Sequence, residues 1–217
     1  MLKCLLNKAP EEEFSILCLG AHSDDIEIGC GGTILRLIKE YKRLKVTWIV
    51  FSSDQQRAAE AYASANAFLR DANEKKILIK EFQNGYFPYI GAQIKDYFEQ
   101  LKQELSPDLI FTHCRNDLHQ DHRLINELTW NTFRNHTILE YEIPKYDGDL
   151  GSPNFFVHLE EEICRLKVDN ILTFFTTQAG KQWFTPDTFY SLLRLRGIES
   201  NAPDRYAEAF YSKKFIY

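Results

Sequence analysis

FSILCLGAHSDDIEIGCGGTILRLI, residues 14–38, decides how the chain must fold. Its first six residues are apolar apart from Ser15 and read as a buried strand. A polar turn follows, with one histidine, two aspartates and a glutamate in six residues, and then a glycine cluster. Beyond it Ile34, Leu35, Ile38 and Tyr41 fall on one helical face.

The same alternation continues outward. VTWIVFSS (46–53) is a second strand, and Ala58, Tyr62, Ala65 and Leu69 mark a second helix. KKILIKEF (75–82) is a third strand. Ile94, Tyr97, Phe98, Leu101 and Leu105 make the clearest amphipathic helix of the chain. SPDLIFTH supplies a turn and a fourth strand ending near His113; Leu124, Ile125, Leu128 and Thr132 form the next helix, and TILEYEIP (137–144) the fifth strand. Strands alternating with helices predict a parallel sheet covered on both faces. Right-handed crossovers then give an α/β, Rossmann-like three-layer fold with a mostly parallel sheet. The end of the chain is less regular. A Gly-, Asp- and Pro-containing loop at 146–154 leads to an expected helix at 156–166. A further helix starts at Thr185-Pro186 and stops at Gly197.

The bulk numbers agree with one domain over residues 1–217. Hydrophobic residues are 44% and aromatics 14%, enough for a packed core. A net charge of -5 argues against a nucleic-acid or acidic-membrane partner. The five cysteines (Cys4, Cys18, Cys30, Cys114, Cys164) are odd in number and contain no CxxC, which points to the reducing cytoplasm. The apolar patch at the N-terminus is too short for a signal h-region, and no apolar run is long enough for a membrane span. Assembly into a homo-oligomer is compatible with the chain.

What does the polar turn do? A dinucleotide cradle needs GxGxxG at the strand end, whereas here the glycines come late and two carboxylates would repel a pyrophosphate. Ser23 or Asp24 capping the helix, with acids at its positive end, explains part of the stretch. That leaves the neighbouring histidine unexplained. A metal site explains more. Imidazole and carboxylate are ordinary zinc ligands, and His22 and Asp25 stand three apart at a turn. A third ligand must come from another strand end. RNDLHQDHR (115–123), after the fourth strand, offers His119, Asp121 and His122 at the same edge of the sheet.

AHSDDIE (21–27) and HQDH (119–122) together resemble the PIG-L / LmbE-like zinc de-N-acetylase family, which carries AHPDDxE and HxDH-type motifs. RAAE (57–60) and AEAF (207–210) are weaker matches. The resemblance implies hydrolysis of an N-acyl group, usually on an aminosugar or glycoconjugate, with Zn2+ or another divalent ion. Carried over by motif, His22, Asp25 and His122 would hold the metal and Asp24 would be the general base. His119 would stand beside the tetrahedral centre, Asp121 would orient a histidine and Arg57 would contact substrate. Ser23 replaces the motif's usual proline. Asp117 stands where some members use a tyrosine as oxyanion donor, a role an ionised carboxylate cannot fill.

Plainer roles stand beside these. Asp121 also suits a helix cap, Glu27 a helix-dipole acid, Arg57 an exposed cation, Cys30 a small core filler and His113 a buried or supporting residue. Tyr86, Phe87 and Tyr89 suit either a sugar-stacking loop or the core. Two other functions fit the same residues: an amidase on a thiol conjugate or natural product, and a Rossmann-like binding protein without chemistry.

Overall fold

The computed structural model describes residues 8–214; the N-terminal apolar patch, with Cys4, lies outside them. One sheet of seven strands runs in the order β3-β2-β1-β4-β5-β7-β6. The first five are β1 (Glu13–His22), β2 (Arg43–Ser52), β3 (Glu74–Ile79), β4 (Leu109–His113) and β5 (Thr137–Tyr141), all parallel. Between them run α1 (Asp25–Glu40), α2 (Gln55–Phe68), α3 (Gly91–Glu104) and α4 (Gln120–Thr132). This is the expected α/β three-layer fold.

The strands read as continuous apolar runs because both faces are buried. Along β1, Ile16 and Cys18 enter one core with Ile34 of α1 and Phe68 of α2. Leu17, Leu19 and Ala21 enter the other, with Phe98 of α3 and Ile125 of α4.

The C-terminal part departs from expectation. Residues 155–159 are not helical: they form β6 (Phe155–Leu159), and the helix α5 is Glu161–Phe174. A further strand not anticipated from the sequence, β7 (Tyr206–Tyr211), pairs antiparallel with both β5 and β6. That pairing partner, some fifty residues downstream, is what makes the FFVHL run extended. The last helix, α6 (Pro186–Glu199), has Thr185 as its cap, with the side chain accepting from the Thr188 N–H, as its Thr-Pro start implied. The third and fifth strands end earlier than the apolar runs suggested, although Lys80 and Phe82 still donate to Val50 and Phe51 carbonyls.

The glycine cluster opens space for packing rather than for phosphate. A Cβ on Gly29 would stand 2.1 Å from the Tyr141 ring, and one on Gly32 2.6 Å from Leu159. Tyr141 thereby lies against α1 and donates to the Leu19 carbonyl at 2.6 Å.

After β1 the chain winds to one side for β2 and β3, then returns to lay β4 on the other side of β1. Such a switch opens a crevice at the carboxyl ends of the strands. His22 ends β1 and His113 ends β4 at that crevice.

Candidate metal centre

His22 is the last residue of β1. Asp24, next but one, has a left-handed backbone (φ 98) and occupies the cap position of α1, yet its side chain makes no cap bond. The turn thus sends its two aspartates in different directions. Asp25 folds back, and its Oδ2 accepts the His22 N–H at 2.7 Å. Asp24 goes to Arg57, whose Nη2 donates to Asp24 Oδ2 at 3.1 Å and also to the Ser23 carbonyl. A left-handed non-glycine residue costs about 1–3 kcal/mol and persists only where its surroundings impose it; here Arg57 fastens the strained turn.

The second segment arrives from α4. Its first turn brings His122 against His22, with Nε2 3.2 Å from His22 Nδ1. Asp25 Oδ2 lies 3.5 Å from that Nδ1 and 3.6 Å from that Nε2. Three largely buried donor atoms thus form a nearly equilateral triangle. Ligands bound to one tetrahedral ion at about 2.0–2.1 Å would stand roughly 3.4 Å apart, so the residues present fit a small divalent cation. The outward nitrogens are braced as metal-bound histidines usually are. His22 Nε2 faces Asp121 Oδ2 at 3.2 Å, and His122 Nδ1 faces Asp117 Oδ2 at 2.9 Å.

His113 closes the floor. Its Nε2 accepts the Ala21 N–H at 2.9 Å and lies 3.3 Å from Asp25 Oδ2, and its ring stacks on His122 at 3.8 Å. His119, not Asp121, caps α4: its Nδ1 accepts the Asp121 N–H at 3.2 Å, which leaves the proton on Nε2. Its half-buried ring packs on those of His22 and His122. Asp121 instead anchors the aromatic loop, accepting from Gly85 N at 2.7 Å and Phe87 N at 3.2 Å. In that loop Phe87 is core, whereas Tyr86 and Tyr89 are exposed.

Titration follows from these contacts. Burial lifts the Asp24 carboxyl to about 7, against the pull of Arg57. Burial would also lift Asp25, but the imidazoles of His122, His113 and His22 around it hold it well below the carboxylate range. Burial depresses His122 to about 3, keeping it neutral. Burial lifts Glu27 to about 8, against the smaller opposing effect of the Ser64 hydroxyl beside it.

All seven residues singled out from the sequence converge on this crevice. Sequence reasoning missed the service of Asp117 to His122 and of Arg57 to Asp24.

The sequence model of a family described as "PIG-L: GlcNAc-PI de-N-acetylase" matches residues 17–133. No curated protein matches significantly. Solved structures share the fold. A conserved protein of Thermus thermophilus is 18% identical with a TM-score of 0.73, covering 93% of this chain and 96% of its own. The N,N'-diacetylchitobiose deacetylase of Pyrococcus horikoshii is 20% identical with a TM-score of 0.70, covering 96% and 86%. A 4-carboxy-2-hydroxymuconate hydratase of Pseudomonas putida is 14% identical with a TM-score of 0.74, covering 94% and 98%.

Proposed function

The chain belongs to the PIG-L family of de-N-acetylases, and from that premise we propose that it is a zinc-dependent hydrolase removing the acetyl group from an N-acetylated aminosugar or its glycoconjugate. The observation that carries this reading is the donor triangle of His22, Asp25 and His122, with a separate carboxyl, Asp24, at its side. The sheet architecture is shared with a hydratase, so the fold alone does not choose the reaction.

In this reading His22, Asp25 and His122 hold the ion. Bound there, a divalent metal supplies Lewis acidity and brings the pKa of a coordinated water to about 7. Asp24 takes the proton of the attacking water. Its carboxyl near 7 is matched to that task, and Arg57 keeps it turned away from the ligand set. His119, with its proton on Nε2, donates to the acyl oxygen as negative charge develops there. Asp24 then passes its proton to the departing nitrogen, so that the C–N bond breaks to a carboxylate and a free amine. Asp121 and Asp117 keep His22 and His122 turned towards Asp25. The odd cysteine count supports a cytoplasmic location.

The test is metal content together with amine release from a panel of N-acetylated sugars. About one zinc per chain is expected, lost in His22→Ala and kept in Asp24→Asn. Asp24→Asn should lower turnover by about 10²–10⁴-fold. A zinc-loaded wild type that frees no amine from the panel would overturn the reading.

A further inference from the structure

AHSDDIE departs from AHPDDxE at Ser23 alone, and Ser23 is fully buried. A serine hidden from water needs a partner for its hydroxyl. That hydroxyl does not cap α1, whose cap position belongs to Asp24. Strand register supplies a partner instead. β1 and β2 run parallel with His22 opposite Ser52, so the next residues along, Ser23 and Ser53, leave the sheet side by side. Their hydroxyl oxygens stand 2.9 Å apart. Ser53 Oγ donates to the Asp54 carbonyl at 3.1 Å, which leaves the Ser23 O–H as the donor between the two serines.

From Ser53 the contacts run on in a closed ring. Asp54 caps α2, its Oδ1 accepting the Arg57 N–H at 2.8 Å. The Arg57 guanidinium turns back across the gap: Nη2 donates to the Ser23 carbonyl and to Asp24 Oδ2, the latter at 3.1 Å. The turn after β1 is therefore gripped twice from the turn after β2, once through the Ser23 hydroxyl and once through the Ser23 carbonyl. Arg57 alone would leave that turn free to pivot about the guanidinium. A second grip on the same residue removes the pivot. The residue so held immediately precedes Asp24, whose left-handed backbone (φ 98) persists only because its surroundings impose it.

We propose that Ser23, clasped to Ser53, is a positioning residue for Asp24: the hydroxyl pair locks the turn that aims the Asp24 carboxyl at the attacking water. The inference rests on the deacetylase reading and extends its machinery to the turn after β2. A proline at 23 would stiffen the chain from within, by fixing its own φ. The serine stiffens it from outside, by tying it to the neighbouring strand end. Loss of one such neutral hydrogen bond is expected to cost about fivefold.

The experiment takes zinc-loaded wild type, Ser23→Ala, Ser53→Ala and Asp24→Asn, with Ser23→Ala also placed on Asp24→Asn. Amine release from the same panel of N-acetylated sugars gives kcat and KM. Metal content and amide hydrogen exchange are read on the same samples. Ser23→Ala removes one buried oxygen and adds nothing, so it should keep its zinc and its KM and lose about fivefold in kcat. Ser53→Ala strands the Ser23 hydroxyl without a partner and should lose at least as much. On Asp24→Asn the Ser23 change should cost nothing further, because a hydroxyl that acts through Asp24 has nothing left to position. Exchange at the amides of 23–25 and 53–57 should rise together in Ser23→Ala, by about fivefold. The Ser15 amide, held by Asp108 at the other end of β1, should exchange as in wild type. An unchanged kcat, or a loss that adds in full to that of Asp24→Asn, overturns the positioning role. Loss of zinc from Ser23→Ala overturns it too, since the hydroxyl would then serve the ligands. A wild type that frees no amine faults the deacetylase reading instead, and the clasp is then judged by exchange alone: faster exchange in both turns of Ser23→Ala supports it, and exchange as in wild type overturns it.

Discussion

Asp117 divides its oxygens among three partners. Oδ1 accepts the His119 N–H at 2.8 Å, and Oδ2 meets His122 Nδ1 at 2.9 Å. Lys145 Nζ reaches the same Oδ2 at 2.9 Å. Burial would raise this carboxyl, but the His122 hydrogen bond and the surrounding positive charge hold it well below its usual range. An ionised Asp117 fixes the proton of His122 on Nδ1 and leaves Nε2 as a lone-pair donor towards Asp25. Asp117→Asn keeps the shape and removes the charge. Under the proposed ligand assignment it should weaken zinc binding by about 10–100-fold, as loss of a partner behind a metal-bound histidine commonly does. A chelator-competition titration measures this, and an unchanged affinity would remove Asp117 from the site. That these residues would share one crevice was legible in the sequence, because His22 with Asp25, and His119 with His122, are local spacings on one turn each. The supporting contacts were not. Arg57 meets Asp24 across 33 positions and His113 meets Ala21 across 92, and no spacing rule reports a contact made by folding.

At the scale of elements, α1 shows why glycine in a helix need not be a weakness. Gly→Ala inside a helix ordinarily gains up to about 1 kcal/mol. At Gly29 the new Cβ would lie 2.1 Å from the Tyr141 ring, and overpacking a core costs about 1–3 kcal/mol. Gly29→Ala should therefore lower Tm, by about 4 °C for a net loss of 1–2 kcal/mol in a chain this long. Gly91→Ala, at the start of α3 with its nearest neighbour at 3.8 Å, should leave Tm unchanged or raise it. Thermal scans of the pair separate packing from propensity. The start of β4 offers a pH-dependent counterpart. Asp108 accepts from Ser15 N at 2.9 Å and Ser15 Oγ at 3.0 Å, and its own N–H donates to the Ser15 carbonyl, tying β4 to β1. Partial burial would raise its carboxyl, but these hydrogen bonds and Lys8 lower it. A folded-state value below the unfolded one gives stability that is present above the unfolded pKa, about 4, and is lost as pH falls through the folded one. Asp108→Asn should cost about 1 kcal/mol at pH 7, discounted for its solvent exposure. The deficit should close as pH drops below about 4; a deficit independent of pH would mean the carboxylate charge is idle. The alternating elements up to β5 were readable from periodicity because each buries its own apolar face. β6 and β7 were not, since β6 pairs only with β7, and β7 bridges β5 and β6 from far along the chain.

In the molecule as a whole, the parallel part carries the donor triangle and the antiparallel part grips it from behind. Glu208 of β7 accepts from Gly32 N at 2.8 Å and Thr33 N at 2.6 Å on α1, the helix that begins with Asp25. Lys167 of α5 joins them, donating to Glu208 at 2.6 Å and to the Ile28 carbonyl at 2.7 Å. Both side chains are buried, as are Arg196 and Glu142, which pair α6 with the segment after β5. A helix backbone, a strand and a second helix thus meet at one buried ion pair, whose two members stand 41 positions apart. Breaking such a pair on one side leaves a desolvated charge and costs about 3–5 kcal/mol. Lys167→Met should therefore be strongly destabilising. Adding Glu208→Gln should recover part of the loss, because a neutral amide can still accept from Gly32 without burying an uncompensated anion. Urea unfolding of the two variants gives the order. The double variant should be the more stable of the two; if instead the losses simply add, Glu208 is held by the α1 amides alone and Lys167 serves α5 packing rather than the joint between the two halves.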